Sequence, residues 1–247
     1  FDWSNVNHSY AQSPFKIYTA NGELTENVII DTNAETTTLT VTETTPTQLK
    51  YGGDGWGVAP NSTITIIDLE EVYGPINNWG VSNVTNMSEL FKDKTSFNDS
   101  ISNWDVSNVE NMDRMFNEAS NFNQDISGWN VSSLISMERM FGNAVDFNQA
   151  LDSWDVSKVE NMSLLFRTAG SFNQPLGSWD MSSVTEMYHM FSGGCPFDQD
   201  ISGWDVSKVE NISHIFSQNS KFNQDISGWD VSSVTNMEYT FYSATAF

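Results

Sequence analysis

The chain has 247 residues, with 32 acidic and 10 basic side chains and a formal net charge of -22. That balance excludes nucleic acid as a partner, because a binder must neutralise phosphates with lysine and arginine, and it disfavours direct attachment to an anionic membrane. Every apolar run is too short to span a bilayer. With Phe1 at its start and no signal-like apolar segment, the chain reads as a processed product or an excised fragment.

Residues 1–62 show no periodicity and read as a β-rich domain or cap. Phe15–Thr19 and Asn27–Asp31 flank Asn21-Gly22, a dipeptide that favours a tight hairpin turn. Thr36–Thr47 is threonine-rich, with Leu39 and Val41 alternating as in a half-buried strand. Gly52–Gly57 reads as a loop.

From about Thr63 a repeat takes over. Seven tryptophans, Trp79, Trp104, Trp129, Trp154, Trp179, Trp204 and Trp229, lie 25 residues apart, and Phe91–Phe241, Phe97–Phe247 and Ser82–Ser232 keep the same step. Ile66, Val72 and Ile76 hold the slots of Phe91, Phe97 and Ile101, which places a degenerate coil before the first complete one. A fixed period of this size marks a repeat architecture in which each unit buries its apolar side against its neighbours. The expected fold is therefore an α/β solenoid over residues 63–247 with about seven coils, continuing or covered beyond residue 247.

Within one coil, Val109, Met112, Met115, Phe116 and Ala119 follow helical spacing. Ser107 with Glu110 matches a capping box, repeated at Ser157/Glu160 and Ser207/Glu210. The pattern predicts short helices ending near Phe116, Phe166 and Phe216. A short extended piece is expected around Ile101, Trp104 and Val106. Stacked tryptophans, phenylalanines and methionines would form the core, and each indole N–H needs an acceptor.

Candidate chemistry lies in the columns made by residues 25 apart. Asp155, Asp180, Asp205 and Asp230, preceded by Asp105, follow their tryptophans and are the metal candidates. Calcium needs six to eight oxygens, so one row suffices only if Asp125, Asp200 and Asp225 converge on it. The competing reading ties each aspartate to turn backbone. Asn123, Asn148, Asn173 and Asn223, with Asp198 substituting once, form either an inward row satisfying turn groups of neighbouring coils or a solvated recognition stripe. His189 and His214 share one slot with Arg114, Arg139 and Leu164, which reads as a solvated face; two-histidine ligation lacks an evident third ligand. Asn-x-Ser/Thr sequons occur at Asn7, Asn61, Asn83, Asn86, Asn98, Asn130, Asn161 and Asn211. They permit N-glycosylation in a secretory setting without requiring it. Cys195 is the sole cysteine. It reads as a small turn residue, the alternative being a thiol joining two chains.

The unit Met-Phe-x-x-Ala-x-x-Phe-Asn-Gln-Asp-Ile-Ser-x-Trp-Asp-Val-Ser-x-Val-x-Asn-Met, nearly complete at Met115–Met137 and again at Ile215–Met237, closely resembles the repeat of BspA-like leucine-rich-repeat surface proteins. The resemblance implies a leucine-rich-repeat solenoid displayed outside the cell and carries no catalytic motif. Phosphate-loop, nucleophile-elbow, His-Glu-x-x-His and paired-cysteine motifs are also missing from the sequence. The expected function is that of a non-enzymatic extracellular surface protein, a rigid scaffold for adhesion or protein interaction. Two alternatives stand beside it: a structural subunit of an extracellular filament, appendage or particle, and a calcium- or glycan-dependent binding module. The partners expected are proteins or glycans on a surface, and neighbouring repeats or subunits at the C-terminal coil. No cofactor is expected apart from calcium in that last alternative.

Overall fold

The computed structural model describes residues 75–247 and, before them, the backbone of seven strands between residues 16 and 67. The chain divides into two compact units, Phe1–Trp79 and Gly80–Phe247.

In the first unit the strands are β1 (Lys16–Thr19), β2 (Gly22–Glu23), β3 (Val28–Thr32), β4 (Thr36–Val41), β5 (Thr47–Tyr51), β6 (Asp54–Val58) and β7 (Thr63–Ile67). They form two antiparallel sheets, ordered β2-β1-β5-β6 and β3-β4-β7. Three details differ from the sequence expectation. The strand after Asn21-Gly22 is the short β2, with Thr19 opposite Gly22, whereas β3 pairs with β4. Only Gly52-Gly53 separates β5 from β6, with Tyr51 opposite Asp54, so most of the expected loop is strand. Thr63–Ile67 pairs with β4, so the residues expected to open a degenerate coil belong to the β unit and the division comes at Trp79 rather than residue 62. A short 3-10 helix, Ile76–Asn78, precedes that division.

In the second unit the expected helices do not form. Val109–Phe116 and its counterparts are chains of turns, joined between repeats by single parallel bridges along Asn86, Asn111, Ser136, Asn161, Glu186, Asn211 and Asn236. The reason lies in where the backbone N–H groups go. Those of Met112, Arg114, Phe116 and Glu118 donate forward to carbonyls of Ser136, Glu138, Met140 and Gly142 in the next repeat, at 2.8–3.0 Å. Those of Met115, Asn117 and Ala119 donate back three residues within the repeat. An α-helix would use all of these groups on its own i−4 carbonyls. Sharing alternate groups with a neighbour opens the segment into turns, whose third residues swing into the left-handed region at Arg114 (φ 55) and Glu118 (φ 64). The capping box fails with the helix. Ser107 Oγ donates to Asp105 Oδ1 at 2.6 Å, and the Glu110 N–H goes to the Thr85 carbonyl.

The core is columnar, as the period requires. Phe91, Phe116, Phe141, Phe166, Phe191, Phe216 and Phe241 stack at centroid steps of 5.5–5.9 Å. Each also lies against the second phenylalanine of its own repeat, at 3.7–4.1 Å. The tryptophans form a further column, in which Trp129 and Trp154 are 6.4 Å apart. Their indole N–H groups donate to the backbone: Trp129 to the Ile101 carbonyl, Trp154 to Ile126, Trp179 to Leu151, Trp204 to Leu176 and Trp229 to Ile201, at 2.9–3.2 Å. Each tryptophan thus fills the core of one repeat and fastens it to the one before.

Candidate functional site

The aspartate column does not gather. Asp105, Asp155, Asp180, Asp205 and Asp230 each accept the backbone N–H of the serine two residues on, at 3.0–3.2 Å. Asn130 does the same with Ser132 at 3.1 Å, so the slot requires an acceptor rather than a charge. Asp125, Asp200 and Asp225 close turns of their own on Ser127, Ser202 and Ser227, all at 2.9 Å, instead of converging on the first row. The serine hydroxyl, then the serine backbone N–H, holds the Asp155, Asp180, Asp205 and Asp230 carboxyls below the usual aspartate value. Among the described residues no three His, Cys, Asp or Glu side chains are placed to hold a metal ion.

The Phe-Asn-Gln triplet builds a continuous amide ladder. Asn123, Asn148, Asn173, Asp198 and Asn223 donate their backbone N–H to the side-chain Oδ1 of Asn98, Asn123, Asn148, Asn173 and Asp198 of the preceding repeat, at 2.8–3.0 Å. The same oxygens accept Nε2 of Gln124, Gln149, Gln174, Gln199 and Gln224 at 2.8–3.1 Å. The column satisfies backbone groups of the adjacent repeat, as one of its two sequence readings expects.

The sequons split by this geometry. Asn98 opens the amide ladder, and Asn130 lies in the aspartate slot. Asn86, Asn161 and Asn211 share one column, each accepting the N–H of the residue two on, at 2.8–3.0 Å. Asn83 is exposed, and Asn7 and Asn61 lie outside the described residues.

A third face behaves differently. Two columns that start at Glu89 and Lys92 run along the turns as a ridge, and their chemistry changes from repeat to repeat. The first reads Glu89, Arg114, Arg139, Leu164, His189, His214, Tyr239; the second reads Lys92, Asn117, Gly142, Arg167, Ser192, Ser217, Tyr242. All three arginines of the protein are here. At one end the ridge is ionic. Glu89 Oε1 accepts from Lys92 Nζ at 3.2 Å and Arg114 Nη1 at 3.4 Å, while Arg114 Nη2 reaches Glu138 Oε1 at 3.2 Å. Arg139 pairs with Glu118 at 3.7 Å. Its stem lies over Gly142, where a Cβ would come within 2.5 Å of Arg139 Cγ and 2.9 Å of Asn117 Oδ1, so this slot admits only glycine without rearrangement. At the other end the ridge is aromatic. His189 and His214 stack at 4.3 Å with planes 10° apart, Tyr239 continues the stack at 4.9 Å, and Tyr188 meets His189 edge-on at 5.9 Å. Burial first, then His214 and Arg167, pushes the His189 imidazole down to about 4.

With these faces in place, the comparisons with known proteins can be read. The family described as Mycoplasma protein of unknown function, DUF285, matches residues 65–176 and again residues 143–247. The chain belongs to this family. The double match follows from the repeat, since two overlapping stretches satisfy one description, and it leaves the β sheets almost wholly outside, starting within β7. No curated protein and no solved structure matches the chain. Among the described residues no helix is long and apolar enough to cross a membrane. Family membership establishes repetition and assigns no activity, so the faces themselves carry the functional argument.

Sequence reasoning passed over the ridge. Its slot was expected to be a solvated face on a helix; it lies on turns, is half-buried from Arg114 to His214, and is bonded across repeats and chemically graded. The available signal was column-by-column divergence beside columns that do not change. For Cys195 the burial separates its two sequence readings. It is fully buried, its Sγ faces the Phe172 carbonyl at 3.8 Å, and burial pushes its thiol up to about 12. A thiol so placed cannot join two folded chains.

Proposed function

We propose that the protein is a non-enzymatic extracellular surface protein, in which the repeats form a rigid leucine-rich-repeat-like solenoid of the BspA-like kind and the ridge is the face that engages a protein partner. The carrying observation is the divergence of the ridge. In a stack every repeat meets nearly the same surroundings, so packing alone favours the same residue in each column. The phenylalanine, tryptophan and amide columns obey this. The ridge does not, and it gathers Arg, Tyr and His, with arginine and tyrosine among the residue types that anchor protein interfaces.

The experiment is adhesion of beads coated with the intact chain to cell surfaces and to immobilised matrix proteins. Attachment should fall at least tenfold in Tyr188→Ala and Arg167→Ala. It should be unchanged in Ser153→Ala, on a different face. Equal attachment by all variants, or none by the parent, removes the ridge reading. Surface labelling of intact cells tests the location.

A further inference from the structure

The aromatic end of the ridge holds a pair of metal-ligating groups that the proposed adhesion role does not require. His189 and His214 occupy the same position in consecutive repeats, so the backbone delivers both imidazoles to one place. Arg139, Leu164, His189 and His214 all follow one left-handed geometry, with φ of 55–62. The rings are 4.3 Å apart and 10° from parallel, and both are half-buried rather than enclosed. Ser192 Oγ lies 3.0 Å from His189 Nδ1, which fixes that nitrogen and leaves Nε2 for an external ligand.

We infer that His189 and His214 form a two-nitrogen chelate for a late divalent transition ion of the Cu²⁺, Ni²⁺ and Zn²⁺ class. Imidazole suits these ions, while calcium and magnesium require oxygen. Stacked parallel rings aim their nitrogens side by side, so holding one ion at about 2.0–2.1 Å from both requires each imidazole to turn about its side-chain bonds until the two nitrogens converge. Water fills the remaining positions, because no third His, Cys, Asp or Glu is within reach among the described residues. Arg167 beside His189 opposes any cation electrostatically. The site therefore selects ions that form strong bonds to nitrogen over ions held by charge alone. The bound ion would clip two consecutive repeats together across the ridge.

The test is titration of the intact chain with Cu²⁺ at neutral pH, followed by electron paramagnetic resonance and by thermal melting. Asparagine tolerates the left-handed backbone, so His189→Asn and His214→Asn remove each imidazole while keeping the turn. His8→Ala controls for the third histidine. The expected result is one Cu²⁺ with two nitrogen ligands and a raised melting temperature reversed by chelator. Either asparagine variant should weaken binding at least tenfold and show one fewer nitrogen, with His8→Ala unchanged. Three outcomes overturn the inference: no specific Cu²⁺ binding, binding unaltered in both asparagine variants, or binding lost only with His8→Ala. Asparagine variants that melt far below the parent without metal would make the pair a packing element; His189→Gln then repeats the comparison, and equal Cu²⁺ binding by it also overturns the site.

Discussion

The amide flank and the ridge are cut from the same repeat step and differ in nearly everything else. On the flank each asparagine receives a backbone N–H and a glutamine amide from the next repeat, and the pattern survives even where Asp198 replaces asparagine. On the ridge the same step carries an ion-pair network at one end and a ring stack at the other. The difference teaches what each face is for. Where a side chain completes a neighbour's backbone, a change removes the acceptor of both a backbone N–H and a glutamine amide of the next repeat, so the column repeats. Where side chains bond mainly to one another, as in the ion pairs and ring stack of the ridge, the stack tolerates variety.

The largest expected effect lies behind the flank. Trp154→Ala should cost about 3–5 kcal/mol, through the cavity it leaves and the loss of the indole N–H that the Ile126 carbonyl accepts at 3.2 Å beside the Trp129 N–H. In a nearly one-dimensional stack the loss should separate the repeats on either side. Urea unfolding followed by circular dichroism should become two-step or markedly broader. A single transition as sharp as the parent's would mean that the tryptophan column does not couple the repeats.

A matched pair then sets flank against ridge directly. Asn148→Ala removes an acceptor of two hydrogen bonds, from the Asn173 N–H at 3.0 Å and Gln174 Nε2 at 3.1 Å. Arg114→Ala removes two ion-pair contacts, at 3.4 and 3.2 Å, from a side chain that is 43% exposed. The asparagine variant should lose about 1–2 kcal/mol, and the arginine variant less than about 1 kcal/mol, falling further with salt. Chemical denaturation at low and high salt separates them. Equal losses would erase the distinction between the two faces.

The parts of this fold that were legible in the sequence are those where a residue type can do one job. The tryptophan step read directly as a stack. Asp-x-Ser read as turn bonding, because a short carboxylate two residues ahead of an N–H has few other uses. The helix was misread for a physical reason. Val109, Met112, Met115, Phe116 and Ala119 are all fully buried, as helical spacing demands. A chain of three-residue turns buries the same positions, however. What distinguishes the two is whether the Arg114 N–H finds its acceptor four residues back or in Glu138 of the next repeat. That choice is made between repeats and leaves no mark within one.

The turns that replaced the helix supply a smaller prediction, of the opposite sign. Among the described residues, thirteen that are not glycine adopt positive φ, and Thr168 is the β-branched one of these, at φ 61. Asn143 holds the corresponding slot one repeat earlier at φ 57. Thr168→Asn should therefore stabilise the chain by about 0.5–1 kcal/mol, read as a rise in melting temperature. A fall would show that Thr168 contributes contacts outweighing its backbone strain.

The smallest effect, and the one that bears on the aspartate column, is on the acid limb of stability. Asp155, Asp180, Asp205 and Asp230 have folded values below the ordinary 3.8, because serine hydroxyl and N–H groups favour their charged forms. A carboxyl lowered on folding adds stability that is fully present above its unfolded value and is lost as pH falls through the folded one. Stability should thus be flat from neutral pH down to about 4 and decline below it. Replacing all four by asparagine keeps the turn acceptor, as Asn130 shows at 3.1 Å from the Ser132 nitrogen, and removes the titration. The variant should melt as the parent does at pH 7 and lose less on acidification to pH 3. The same variant addresses calcium. If millimolar calcium raises the melting temperature of the parent and not of the variant, the column binds the ion despite its commitment to the turns. If calcium shifts neither, the column serves the turns alone.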